Sequence, residues 1–213
     1  MKPKFKEEGF GVFVSDIMSV LMVIFLFIAI AFIQEVKKKT DEAKDIVENY
    51  EQVKEEIIEA IKLEFLDEFS EWNALVDPLT LSFQFNSPDV LFKRGSSELT
   101  PKFKMVLNDF FPRYLDVIKK DNYINYISAI QIEGHTSSEW DGRNQGLPAY
   151  LNNMELSQSR SAKVLEYVLK IEGIGEADVW TRNKITSIGY SSSQLKYKEI
   201  GPKIIEDKIS SRR

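Results

Sequence analysis

One carboxylate, Asp16, stands inside a run from Val12 to Ile33 in which no other residue is ionisable. As a helix that run is about 33 Å long, enough to cross a hydrocarbon core of about 30 Å. A carboxylate about one turn into such a span costs on the order of 2.5–3.5 kcal/mol on insertion scales. Residues that persist at that cost usually face a bundle interior or a water path. The other reading is that Asp16 lies close enough to the interface to stay hydrated. Ser15 and Ser19 flank it, and Ser19 lies on its helical face at i+3. A carboxylate beside a hydroxyl in a low-dielectric channel can accept and release a proton. One span cannot enclose a channel, so a membrane partner is expected, and self-association would supply a second copy.

The second candidate is Arg160, in Leu156-Ser157-Gln158-Ser159-Arg160. The pattern predicts an amphipathic helix over 156–171, with Val164, Leu165 and Val168 on one face. At a helix start, unpaired N–H groups and the dipole favour an anion, and a guanidinium beside them completes a carboxylate pocket. The competing reading is an exposed ion pair with Glu155 or Asp141. His135 is the sole histidine. With no nucleophile or second base placed beside it, it reads as a structural residue at a strand end, and no enzyme activity is expected. The chain has no cysteine. Disulfides and thiolate metal sites are therefore excluded, and no cofactor or metal is expected. The net charge of −5 and pI of about 5.2 argue against a nucleic-acid-binding surface.

These residues require elements to position them. The apolar run is longer than a signal-peptide core, and Ile33-Gln34-Glu35-Val36-Lys37 offers no small-residue cleavage site, so an uncleaved transmembrane helix is expected over 12–33. Lysines 2, 4 and 6 before it nearly balance lysines 37–39 after it, so charge alone does not orient it. Residues 34–76 read as a helical linker. Its stripe of Ala43, Val47, Tyr50, Val53, Ile57, Ile61, Phe65, Phe69 and Trp72 suits either a coiled coil between two copies or packing on the following domain. Strands are predicted over 79–85, 126–133 and 184–190. Ser87-Pro88 breaks the first. A helix starts at Thr100-Pro101, and a polar loop runs from Ser137 to about Tyr150 past Gly142, Gly146 and Pro148. Alternating strands and helices imply a layered α/β domain over 77–193, with a tail over 194–213 that frays from Gly201 onward.

The segments FKRGSSELT, IQIEGHTSSEW, NNMELSQSRSAKVLEYVL and ITSIGYSSSQ, in that order, resemble the OmpA-like peptidoglycan-binding family. With a single aspartate-bearing span ahead of them, the chain resembles MotB-type stator subunits, a family whose relatives include the ZorB branch of Zorya anti-phage systems. GHTSSEW and YLNNMELSQSR look closer to that branch. The resemblance implies a β-α-β-α-β sandwich, an ion-carrying role for Asp16 with Ser19 beside it, and a cytoplasmic N-terminus with the folded domain outside the bacterial inner membrane. It also implies a homodimer within five copies of a MotA-like subunit. The linker would then either plug the channel before wall binding or act as a spacer only. Carried over by motif, Arg160 grips a diaminopimelate carboxylate. Asn153, Leu156 and Ser157 shape its pocket, and Thr136 and Ser137 border it. Where the family has aspartate for the ligand's ammonium group, this chain has Ser137, so that task would pass to Glu139 or Asp141. The function expected is the wall-anchored subunit of a rotary motor driven by the proton motive force; the alternative is a passive tether between membrane and wall.

Overall fold

The computed structural model describes residues 5–86, 88–141, 146–200, 203–208 and 210–212. Lys2, Lys4, Ser87, Gly142 and Gly201, which entered the reading above, lie outside them. The chain forms two compact units, Met1–Gln52 and Val53–Arg213.

The first unit is helical throughout its described residues, as part of α1 (Phe5–Glu64). Every side chain from 13 to 52 is exposed. From 13 to 33 that surface is almost wholly apolar, Phe27 and Met22 being 67% and 68% accessible. Water does not tolerate such a continuous apolar cylinder, whereas hydrocarbon does. This is the one helix among the described residues that is long and apolar enough to cross a membrane. Beyond it the helix surface turns ionic. Lys39–Glu35, Lys44–Glu48 and Lys38–Glu42 pair at i,i+4 over 3.0, 3.5 and 3.8 Å. Each such exposed pair adds about 0.2–0.5 kcal/mol to helix stability.

The second unit opens with the last turns of α1. Val53, Ile57, Ile58 and Ile61 are buried here, and Phe65 just beyond is fully buried. The predicted stripe therefore divides: from Val53 onward it packs into the domain, while Val47 and Tyr50 stay exposed at 60% and 50%. The domain accordingly starts well before residue 77. After α2 (Glu68–Glu71), β1 (Ala74–Asp77) and β2 (Ser82–Phe85) pair antiparallel, Ala74 opposite Phe85. The period-2 pattern of 79–85 overran the turn, where the Leu79 N–H donates to Asp77 Oδ1 over 2.9 Å and Leu81 has φ +56°. Next come α3 (Pro88–Leu91) and α4 (Pro101–Ile118). Thr100 caps α4, accepting from the Phe103 N–H at 3.1 Å, with Pro101 in the first turn as read from the sequence.

β3 (Ile130–Gly134), α5 (Gly146–Val168), α6 (Val179–Lys184) and β4 (Ile185–Gly189) follow. β3 and β4 are parallel, in register from Ile130–Ile185 to Gly134–Gly189. The order β2-α4-β3-α5-β4 is the expected alternation, giving an OmpA-like mixed α/β domain behind a long apolar helix. Two features depart from the reading. Helix α5 starts at Gly146, not Leu156, because Pro148 lies in its first turn, where a missing N–H costs no helical hydrogen bond. The tail instead holds an antiparallel hairpin, β5 (Tyr197–Ile200) with β6 (Lys203–Glu206), the second strand lying where fraying was expected.

Two clusters fix this unit. Phe110 of α4 sits 4.4 Å from Phe83, 5.0 Å from Phe65 and 5.5 Å from Phe85, centroid to centroid, joining α1, α4 and the first hairpin. At the other end, the register partners Gly134 and Gly189 both lie against α5. A Cβ on Gly134 would stand 2.3 Å from the Ser157 carbonyl oxygen, and one on Gly189 would stand 2.4 Å from the Gln158 nitrogen. Neither neighbour is a flexible side-chain end, so any side chain here must push the helix off the strands. Gly134→Ala should destabilise the chain by about 1–3 kcal/mol, the usual cost of overpacking. Thermal unfolding of the detergent-solubilised protein measures this, and wild-type stability would mean that α5 does not rest on the glycine pair.

Candidate functional site

Because α5 lies directly on the ends of β3 and β4, the loop leaving β3 runs alongside its second and third turns. Asn153, Leu156 and Arg160 fall on one face of α5 at i, i+3 and i+7. The Asn153 amide donates to the carbonyls of Ser137 and Glu139, both at 3.1 Å, tying the loop to the helix. The Thr136 N–H donates to the Ser191 carbonyl at 2.9 Å, and the Ser191 N–H donates to Ser157 Oγ at 3.0 Å.

These contacts border a cavity of about 340 Å³. Thr136, Ser137, Asn153, Leu156 and Arg160 all line it, so five of the six wall-binding residues carried over from the family come together there. Ser157 does not. It is fully buried, its hydroxyl donates to the Met154 carbonyl at 3.0 Å, and it serves the β4 end rather than the cavity. Phe92, Arg94 and Gly95 close another side, and Glu139, Trp140, Asp141 and Arg212 complete the lining.

Arg160 is not where the sequence argument put it. With α5 starting at Gly146, Arg160 is deep in the helix, and the dipole effect is confined to the first turn. Nor does it lie at the surface, where the competing reading put it. It is 9% accessible, its guanidinium carbon lies 4.8 Å from the Phe92 ring centroid, Nε donates to the Ser96 carbonyl at 2.9 Å, and Nη2 to the Lys93 carbonyl at 3.3 Å. Gly95 makes this possible: its φ of +69° turns the loop so that both carbonyls face the arginine. These contacts fix the guanidinium in the cavity lining.

Thr136 gives the cavity a second polar feature. It is 3% accessible, and its Oγ1 has no hydrogen-bond partner among the described residues. An unsatisfied buried hydroxyl costs about 1–3 kcal/mol, and a ligand in the cavity would relieve that cost. His135 is held by parallel stacking on Tyr190, 5.0 Å between centroids, and by Glu133 Oε2 at 3.1 Å from Nε2. That is the structural place expected for it. Glu139, one of the two acids expected to replace the family's aspartate, is contacted by Lys208 Nζ. That contact, helped by the charges of Arg212 and Arg94, outweighs desolvation and holds its carboxyl below the ordinary range.

In the membrane helix, Asp16 is exposed on the apolar cylinder. The Ser19 hydroxyl donates to the Ser15 carbonyl at 2.9 Å, so its proton is directed to its own backbone and not to Asp16.

Sequence reasoning missed Phe92, Arg94, Trp140 and Arg212. Phe92 and Gly95 were visible as part of the FKRGS motif, though not as the platform and turn that seat Arg160. Arg212 carried no signal, because it lies in a stretch read as tail.

Residues 91–203 match the model of the OmpA family. The Zorya protein ZorB of Escherichia coli is 43% identical over 190 residues, covering 89% of this chain and 80% of that protein. A MotB-like protein from Desulfovibrio vulgaris, known from a crystal structure, superposes with a TM-score of 0.44 at 21% identity, covering 75% of this chain and 90% of that one. The chain is thus a member of the ZorB family, with an OmpA-family domain behind its apolar helix.

Proposed function

We propose that this protein is the wall-anchored, ion-carrying subunit of a rotary motor driven by the proton motive force and serving a Zorya-type anti-phage system. In this reading the N-terminus is cytoplasmic, residues 12–33 cross the inner membrane, and the OmpA-like domain grips peptidoglycan outside it. Its partner is the MotA-like membrane subunit, five copies around two of this chain. The observation that carries the proposal is Asp16, the one ionisable side chain in a fully exposed apolar helix surface. A passive tether gains nothing from a carboxylate there, whereas a proton path requires one. The exposed part of the stripe, with Val47 and Tyr50, is the surface left for pairing of two copies.

Asp16→Asn keeps the shape and removes the titrating group. It should abolish phage protection while leaving expression and membrane insertion at wild-type levels. Full protection by the Asn variant would remove proton carriage by Asp16 and favour the tether.

The wall-binding half has its own test in sedimentation of the full chain with purified sacculi. Arg160→Ala removes a charged fork from the pocket base and should cost about 2–5 kcal/mol of affinity. Since it also frees the 93–96 loop, some stability will be lost with it. Thr136→Val separates the two effects. It removes only the unpartnered hydroxyl, so stability should hold or rise by up to about 1 kcal/mol while sacculus binding falls by about that amount. Undiminished binding by both variants would place the wall contact elsewhere.

A further inference from the structure

The stretch beyond β6 is built onto the cavity. Glu206 accepts hydrogen bonds from both the N–H and the hydroxyl of Ser138, the former at 3.0 Å. Lys208 contacts Glu139 on the same loop. The turn that follows is itself pinned. The Asp207 N–H donates to the Lys196 carbonyl at 2.8 Å, and Ser211 is fully buried, its Oγ accepting from the Lys196 N–H at 2.9 Å. Arg212, next along, donates from Nε to the Lys208 carbonyl at 2.9 Å and lines the cavity. Its terminal nitrogens have no hydrogen-bond partner among the described residues. These residues lie past position 203, where the match to the OmpA family model stops.

The charges lining the cavity follow from this. Three guanidiniums, from Arg94, Arg160 and Arg212, face two carboxylates, Glu139 and Asp141. Lys208 already engages Glu139. The residue after Thr136 is Ser137, which brings no charge. A single cation at the base suffices for one carboxylate. Further cations on the rim suit a ligand with a second, and guanidiniums bind such groups in a planar, paired geometry.

We propose that residues 206–208 and 210–212 form a latch that completes the binding site, and that Arg212 selects wall peptides bearing two free carboxylates over the same peptides with one carboxylate amidated. This rests on the cavity being the wall-binding site proposed above. In this arrangement Glu206 and Lys208 position the segment, while Arg212 touches one carboxylate of the ligand and Arg160 the other.

The test is calorimetry on the full detergent-solubilised chain with two synthetic stem peptides. Both contain a diamino-dicarboxylic residue, with both its carboxylates free in one and one of them amidated in the other. Wild type should bind the free acid about tenfold more tightly, the equivalent of one charged contact. Arg212→Gln should lose most of that preference, with affinity for the amidated peptide unchanged, and Arg212→Lys should restore part of it. Equal preference in wild type and Arg212→Gln would overturn the role of Arg212 while leaving the cavity as the wall site. Wild-type binding to neither peptide would overturn the cavity reading and the latch with it. Equal loss of affinity for both peptides in Arg212→Gln would reduce the segment to a structural brace and overturn the selectivity.

Discussion

The contact between α5 and the ends of β3 and β4 sets everything at the cavity. Gly134 and Gly189 are opposite each other in the parallel pair, and each lets helix backbone approach where a side chain would collide. That approach lets the Asn153 amide reach two loop carbonyls and the Ser157 hydroxyl reach the Ser191 N–H. All three bonds are short-range and directional, so a shift of the helix by the width of a methyl group would break them. The glycine of the GHT motif therefore acts at one remove from any ligand: it sets the separation between the loop that carries Thr136 and the helix that carries Arg160.

Arg160 is held by its surroundings at several points. The loop carbonyls and the Phe92 ring hold the guanidinium in place, which lowers the entropy it would lose on meeting a ligand. The buried Thr136 hydroxyl, which has no hydrogen-bond partner among the described residues, lines the same cavity, an arrangement that gains from being filled.

Much of this was legible in the sequence because it depends on local pattern. The apolar run, the Thr100-Pro101 helix start, the three core strands and the cluster of motif residues are all set by periodicity, capping or spacing. The failures have a common physical source. Gly146 and Pro148 read as breakers, yet a proline in the first turn of a helix loses nothing, so α5 extended backward and the helix-terminus argument for Arg160 fell away. The fate of the stripe from Val53 to Trp72 and of the last twenty residues was decided by tertiary contacts: the Phe65–Phe110 packing in one case, the Glu206–Ser138 and Lys208–Glu139 contacts in the other. Such contacts join residues far apart in the chain, and no window of sequence contains both partners.

The join between α1 and the domain is built to resist separation. Arg113 of α4 donates from Nε to Glu64 Oε1 and from Nη1 to Glu68 Oε1, both at 2.7 Å, and from Nη2 to the Glu64 carbonyl at 2.6 Å, while its guanidinium carbon lies 4.7 Å from the Phe65 ring centroid. The Glu64 carbonyl is one of the orphan acceptors at the end of α1, so the arginine caps that helix from another element. The hydrogen bond from Arg113 is the main reason the Glu68 carboxyl is held below its ordinary range, against a weaker effect of burial. As separate pairs these half-exposed contacts would be worth little. Here they share one rigid fork over an aromatic core in which Phe65 is fully buried, so parting the helix from the domain means exposing Phe65 and breaking all three bonds together.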